Sequence, residues 1–271
     1  MKTNQKLVEE MNTFLKEKRN HIFWWLGQIG FAFLLENKVV YVDAYLSEDK
    51  GRQVPPVIAP NEVTNADYII GTHDHIDHID KRAWKEMAKA SPSARFIVPK
   101  LFEKSLPEEI GVDKTRVVGI DEKTPFVEGK FLFEAIPSAH EFLDTDESTG
   151  WHPYIGVIIT TKEKKIYHAG DTCIYPGIYE KIEKMGKLDL MILPINGRDA
   201  IRYAKNTIGN MTFQEAVDLA GAIKPNLVVP AHYDMFAHNS ENPQNFVDYL
   251  NVKYENKVKS WVGGYGEPVA F

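Results

Sequence analysis

Hydrophobic residues recur at helical spacing near the start of the chain. Leu7, Met11, Phe14 and Leu15 fall on one face of residues 4 to 18, and most of the other positions there are charged or polar. This periodicity predicts an amphipathic helix that packs on the body of the protein or on a partner. Its apolar face is the surface that a second copy of the chain would use in a homo-oligomer.

Three extended segments rich in β-branched and aromatic side chains follow this helix. They are HIFWWLG at 21 to 27, FAFLLE at 31 to 36 and VVYVDAY at 39 to 45. Gly30 and the pair Asn37 and Lys38 separate them, which predicts a hairpin meander. The apolar run at 66 to 73 predicts another buried strand, and the pattern after Asp80 predicts a helix.

Strands, loops and helices alternate through the second half of the chain. Apolar runs predict the strands RFIVP, TRVVGI, KFLFEAIPS, IGVIITT, KIYHAG, LDLMILPI and NLVVPAH. Helical periodicity appears at 176 to 185, 213 to 223 and 243 to 250. Three irregular stretches are long enough to be functional loops, at 46 to 65, 141 to 153 and 196 to 211. Because no Ser/Gly-rich linker interrupts the pattern, we expect a single α/β domain over residues 1–271.

Composition narrows the class of protein and of substrate. The chain has 38 acidic and 32 basic side chains, a net charge of -6, and no basic block, so nucleic acid is not an expected partner and a small-molecule substrate fits better. Cys173 is the single cysteine, which excludes an intrachain disulfide. MKTNQKLVEEMNTFLKEKRN lacks the apolar core of a signal peptide, and no run reaches the ~18 apolar residues of a membrane span. We therefore expect a cytoplasmic protein without a membrane partner.

The stretch IIGTHDHIDHID, at 69 to 80, concentrates three of the nine histidines of the chain. Alternate residues at a strand end share a face, so His73 and His75 can direct their imidazoles at one metal ion. A turn of the chain then directs Asp77 and His78 at a second position. Each set is incomplete as a metal site, so further ligands must come from other segments. The alternative is three solvated loop histidines.

Three later strand ends supply candidate ligands, in AIPSAHEF, YHAGDT and VVPAHYD. We assign His140 to the ion bound by His73 and His75, and His232 to the ion bound by Asp77 and His78. Asp171 is the candidate for a carboxylate that bridges the two ions. Taken alone, His140 reads as a core or loop histidine, and Asp171 reads as a turn former that follows Gly170.

Candidate substrate contacts lie in the loops that follow the strands. Arg198 and Arg202 suit a phosphate or carboxylate because guanidinium groups bind such anions with two parallel hydrogen bonds, although a solvated charged loop is an equal alternative. Tyr233 and His238 are candidates for the mouth of the site. Trp24 and Trp25 are better explained as core residues, His168 as a buried or supporting residue, and Cys173 as a buried structural thiol.

The motif THDHIDHID resembles the H-x-H-x-D-H motif of the metallo-β-lactamase superfamily, and the later His, Asp and His follow in the order of that superfamily. WWLGQIGFAF, YHAGDT, GNMTFQEAVDLA, VVPAHYDMF and WVGGYGEP resemble its L-ascorbate 6-phosphate lactonase-like branch more narrowly. The resemblance covers nearly the whole chain. It implies a four-layer αββα sandwich, a site for two divalent ions and hydrolase activity, with the seven candidate ligands in the metal roles.

The leading hypothesis is therefore a hydrolase in which two divalent metal ions, zinc or manganese, activate water. Asp77 would also orient the attacking water or take its proton. Its substrate would be a small, anionic molecule such as a sugar-phosphate lactone. A phosphodiesterase that acts on a cyclic nucleotide, an RNA end or a phospholipid headgroup is the enzymatic alternative. A metal-binding sensor without catalysis and a redox flavoprotein partner domain are weaker alternatives.

Overall fold

The computed structural model describes residues 4–271. In this part of the chain, seven α-helices and thirteen strands form. The helices are α1 (Asn4–Lys16), α2 (Lys81–Ala90), α3 (Leu106–Ile110), α4 (Ile178–Lys184), α5 (Ala200–Ala204), α6 (Phe213–Ile223) and α7 (Pro243–Tyr254). The strands are β1 (Ile22–Gly27), β2 (Gly30–Leu35), β3 (Lys38–Val42), β4 (Tyr68–Ile70), β5 (Arg95–Pro99), β6 (Val117–Ile120), β7 (Phe126–Glu128), β8 (Phe131–Pro137), β9 (Ile155–Thr160), β10 (Lys165–His168), β11 (Leu190–Pro194), β12 (Leu227–Ala231) and β13 (Val269–Ala270).

The strands form two mixed sheets. The first has the order β13-β1-β2-β3-β4-β5-β6, and the second has the order β12-β11-β10-β9-β8-β7. The predicted meander is confirmed, since β1, β2 and β3 pair antiparallel. From β3 to β6 the pairing is parallel, as it is from β10 to β12. Parallel neighbours deliver the chain to the same edge of a sheet, so residues that follow these strands meet there.

Side chains alternate between the two faces of the first sheet. Phe23 and Val40 enter the core between the sheets, whereas Trp24 and Tyr41 point to the opposite face. That opposite face packs against α1, α2 and α3, while α4, α6 and α7 cover the outer face of the second sheet. The predicted four-layer αββα sandwich is therefore confirmed. Trp24 and Trp25, in β1, are core residues as expected.

Helix α1 packs on the body of the protein through its predicted apolar face. Leu7, Val8 and Met11 are buried in the core beneath the first sheet. Most of the apolar face that was expected to bind a second copy is therefore buried within the same chain. No helix among residues 4–271 has the length and apolar character needed to cross a membrane.

Candidate metal centre

A compact loop between β4 and α2 carries the first four candidate ligands. At Gly71, where the loop begins, an added Cβ would lie 2.4 Å from Cγ1 of Ile79, so only glycine fits this close approach. The amides of His78 and Ile79 donate to the carbonyl of His75, which folds the loop back on itself. At its far end, Asp80 caps α2 by accepting from the amide of Ala83 at 3.0 Å. Both ends of the loop are thus held.

One group of imidazoles combines this loop with the end of β8. His73, His75 and His140 each offer a ring nitrogen within 4.8 Å of the other two. Nε2 of His73 lies 3.0 Å from Nδ1 of His75. His73 is buried, His75 is exposed, and the side chain of His140 is 8% exposed. We call these three residues the first group.

A second group combines the same loop with the end of β12. Asp77, His78 and His232 offer ligand atoms that also lie within 4.8 Å of one another. Oδ2 of Asp77 is 3.7 Å from Nε2 of His78 and 3.7 Å from Nε2 of His232. These three residues are the second group, and a third combination, His73, His78 and Asp171, meets the same distance limit.

Asp171 lies between the two groups. Its Oδ2 is 3.5 Å from Nε2 of His140, in the first group, and its Oδ1 is 3.2 Å from Nε2 of His232, in the second. Nε2 of His78 and Oδ1 of Asp171 are buried 3.4 Å apart without a hydrogen-bond partner. Unpaired buried polar atoms that face one another are the expected surroundings of a cation, so these residues fit bound metal.

The backbone conformations at the strand ends turn the ligands toward each other. Gly170, which precedes Asp171, has φ +59°, and an added Cβ would lie 2.8 Å from the side chain of Thr72. His232 has φ +60°, a left-handed conformation that is uncommon for residues with a side chain. The amide of Ala139 donates to Oγ1 of Thr172 at 3.0 Å, which joins the end of β8 to the loop of Asp171.

Asp43 supports the cluster and was not among the predicted site residues. It follows β3, is fully buried, and its Oδ2 accepts from Nδ1 of His78 at 2.8 Å and from Oγ1 of Thr72 at 2.7 Å. Such a bond orients the imidazole so that Nε2 faces the metal position. The signal was present in the sequence, because an acidic residue directly after a buried strand, in VVYVDAY, needs a partner.

Charge is unevenly distributed in the cluster. Burial lowers the pKa of His73 well below its ordinary range, and the nearby His78 adds to this effect. Burial alone would lower the pKa of His78, but the carboxylates of Asp171 and Asp43 raise it well above its ordinary range. Burial alone would raise the pKa of Asp171, but His232 and His78 hold it well below its ordinary range. Asp171 is therefore a buried anion that favours cations beside it.

A cavity of about 400 Å³ opens onto both groups. It is lined by His75, Ile76, Asp77, His140, Asp171, Asn206, Ile208, His232, Phe236, His238 and Asn239. A second cavity, of about 560 Å³, also includes His238 in its wall. The second cavity is lined by Asp199, Ile201, Arg202, Lys205, Thr207, Ala237, His238 and Ser240. We call these the metal cavity and the adjoining cavity.

Two of the four predicted substrate residues line a cavity, and the other two do not. His238 lines both cavities and Arg202 lines the adjoining one. Arg198 forms two short bonds, of 2.7 and 2.6 Å, to the carboxylate of Glu215, so binding a substrate anion would require breaking this pair. Tyr233 is buried, with its ring 5.3 Å from that of Trp25. Neither Arg198 nor Tyr233 is among the residues that line the two cavities.

His168 and Cys173, on either side of Asp171 in the sequence, are buried as the sequence predicted. Nε2 of His168 donates to the carbonyl of Ile29 at 2.8 Å in the buried core. Cys173 is a buried free thiol whose Sγ lies 3.6 Å from the carbonyl of Gly209, and burial raises its pKa. A raised pKa disfavours the thiolate, so Cys173 is a poor nucleophile.

Comparison with known proteins identifies the family. Residues 38–233 match the model of the beta-lactamase superfamily domain. A UPF0173 metal-dependent hydrolase of Pyrococcus abyssi is 31% identical over 84% of this chain and 92% of its own length, and one of Caldivirga maquilingensis is 29% identical over 82% and 86%. The fold is similar to that of Igni18, a metallo hydrolase from Ignicoccus hospitalis, with a TM-score of 0.73, 21% identity, and coverage of 92% of this chain and 97% of that one. The chain thus belongs to the UPF0173 metal-dependent hydrolases of the metallo-β-lactamase superfamily.

Proposed function

We propose that this metal-dependent hydrolase uses two metal ions to open a small lactone. The supporting observation is the position of Asp171, whose two carboxylate oxygens face different groups of ligands. His73, His75 and His140 would hold one ion, and Asp77, His78 and His232 the other. Two divalent cations at these positions would lower the pKa of water toward ~7 and polarise the carbonyl of the substrate.

The residues of the chain supply orientation and proton transfer. Asp77 lines the metal cavity and is the carboxylate that can accept the proton of the attacking water. Asp43 fixes the ring of His78, and Thr72 joins Asp43 to the loop. Ile76, Ile208 and Phe236 contribute apolar side chains to the wall of the cavity, where they would contact the carbon skeleton of a bound substrate.

The lining of the metal cavity favours a lactone over a phosphodiester. Among the described residues that line it, none is a lysine or an arginine. The reacting group of a phosphodiester carries a charge that proteins commonly match with Arg or Lys, whereas a lactone carbonyl is neutral. The resemblance to the ascorbate 6-phosphate lactonase branch favours the same bond, with the phosphate elsewhere on the substrate.

The adjoining cavity offers a position for that phosphate. Arg202 and Lys205 line it together with the hydroxyl side chains of Thr207 and Ser240, and with Asp199, whose Oδ2 accepts from Nε of Arg202 at 2.6 Å, so that Lys205 is the cation without this pairing. His238 belongs to both cavities, so a substrate of modest size can extend from the metal ligands to these cations. A sugar-phosphate lactone has this arrangement of a neutral reacting carbonyl and a separate anionic group.

The proposal is tested with purified protein that is stripped by a chelator and reloaded with zinc or manganese. We expect two equivalents of metal to bind, and we expect hydrolysis of phosphorylated and plain lactones but not of a phosphodiester panel. In ¹⁸O-labelled water, one label should appear in the carboxylate of the opened lactone. Full activity of the stripped protein, or turnover confined to phosphodiesters, would overturn the proposal.

A further inference from the structure

Gln28 is a buried polar residue in the turn between β1 and β2. Its side chain is fully buried and its backbone is left-handed, with φ +55°. Such a conformation is strained in a residue other than glycine and persists only where the surrounding structure enforces it. The turn lies far from the H-x-H-x-D-H loop in sequence, yet it reaches the metal centre.

The carboxamide of Gln28 contacts two ligands of the second group. Its Nε2 donates to Oδ2 of Asp77 at 2.8 Å and lies 3.2 Å from Nε2 of His232. Oδ2 of Asp77 accepts this bond, so it requires the nitrogen of the carboxamide to face it rather than the oxygen. This requirement sets the orientation of the amide.

The backbone of Gln28 is held to the same segment. Its carbonyl accepts from the amide of His232 at 2.9 Å and from Nε1 of Trp25 at 3.1 Å. Its amide donates to Oδ1 of Asp234 at 2.9 Å. The position of the carboxamide is thus coupled to the end of β12, which carries His232.

Packing alone does not explain an amide at this position. Oε1 of Gln28 is buried without a hydrogen-bond partner. An unpaired buried carbonyl destabilises the folded state, so an apolar side chain of similar size would suit a purely structural role at least as well. The contacts with Asp77 and His232 are the distinguishing property of the glutamine.

We propose that Gln28 is a positioning residue that orients Asp77 and His232 and so sets the affinity of the second metal position alone. The inference rests on the proposed binding of two ions. Among the described residues, the side-chain hydrogen bonds of Gln28 reach two ligands of the second group and none of the first. Loss of the carboxamide should therefore affect the two positions unequally.

The test is a titration of metal-free protein with Zn²⁺ and, separately, with Co²⁺, followed by the visible absorption of cobalt and by elemental analysis. In Gln28→Met we expect the dissociation constant of the second position to rise about 10- to 100-fold, while that of the first position stays unchanged, whichever of the two fills first. Gln28→His restores an N–H donor of similar reach and should recover most of the affinity. Ile29→Val, at a buried neighbour in the same turn, is the matched control and should retain both equivalents.

Thermal unfolding of the metal-free variants separates positioning from folding. We expect Gln28→Met to unfold close to the wild-type temperature, because the change removes an unpaired carbonyl together with the bond to Asp77. Equal weakening of both equivalents, or unchanged affinity for the second, would overturn the role of Gln28. A wild-type protein that binds fewer than two ions would overturn the proposed function as well, so the two failures are distinguishable. If Gln28→Met does not fold, failure of Gln28→His to hold the second ion overturns the inference.

Discussion

Nδ1 of His78 donates to Oδ2 of Asp43 at 2.8 Å, and both side chains are fully buried. This bond links the end of β3 to the loop that follows β4, its parallel neighbour. The same carboxylate accepts from the backbone amide and the hydroxyl of Thr72. One buried anion therefore fixes both the course of the loop and the ring of a candidate ligand.

Asp43→Asn is expected to weaken metal binding about 10- to 100-fold, because an amide replaces one acceptor with a donor and the ring of His78 loses its orientation. Metal titration and kcat with saturating metal are the measurements. Asp67→Asn is the control. Asp67 also accepts from a backbone amide of β3, that of Val39, but at the opposite end of the strand from Asp43. Unchanged metal affinity in Asp43→Asn would show that Asp43 serves the fold only.

Asp171→Asn is expected to reduce the binding of both metal ions, because one charged oxygen is lost between the two groups. Elemental analysis should find well under two equivalents after dialysis, with a parallel loss of turnover. His140→Ala removes a ligand from the first group only and should retain one equivalent. Retention of two tightly bound ions by Asp171→Asn would contradict a bridging carboxylate.

Lys205→Gln is expected to raise KM about two- to fivefold for a phosphorylated lactone and to leave kcat unchanged, as is typical of an exposed ion pair. Arg202→Gln should have a larger effect on KM, because Arg202 also holds the loop that carries Lys205 through its bonds to Asp199 and to the carbonyl of Asn196. The KM of an uncharged lactone should not change with Lys205→Gln. Lys187→Gln, at an exposed lysine that lines neither cavity, is the control. Equal effects on both lactones would argue against an anion position in the adjoining cavity.

Glu215→Gln is expected to destabilise the fold by about 1–2 kcal/mol at pH 7, because it removes the charge that pairs with Arg198, whereas a glutamine can still accept from the amide of Thr212 in the capping box of α6. Burial alone would raise the pKa of Glu215, but the bonds from Arg198 and Thr212 lower it. Since the folded pKa is depressed, this stabilisation is present above the unfolded pKa of 4.5 and is lost as the pH falls through the folded value.

Urea unfolding of the wild type and of Glu215→Gln at pH 7 and below pH 4 tests this dependence. The difference in the free energy of unfolding should shrink in acid. Glu86→Gln, at an exposed glutamate on α2, should show no such trend. A constant difference at both pH values would exclude the ionised pair as its cause.

Local patterns predicted most of the secondary structure, because burial of alternate residues and capping act over a few positions. The capping box at Thr212 and the strand before His73 are examples. Short elements escaped prediction. Helix α5, with five residues inside the predicted 196 to 211 loop, is too short for its periodicity to be recognised. It begins where Asp199 caps the amides of Ile201 and Arg202.

The sequence by itself determined the alternation of buried and exposed positions, the compact H-x-H-x-D-H frame, and the strand ends from which His140, Asp171 and His232 come. Only the tertiary structure decided that the guanidinium of Arg198 is paired with the carboxylate of Glu215. It also decided that Asp43 and Gln28 support the metal centre. Residues close in the chain restrict one another through backbone geometry, which a local pattern records. Hydrogen bonds between distant segments depend on how the two sheets bring their strand ends to one edge, and that arrangement exists only in the folded chain.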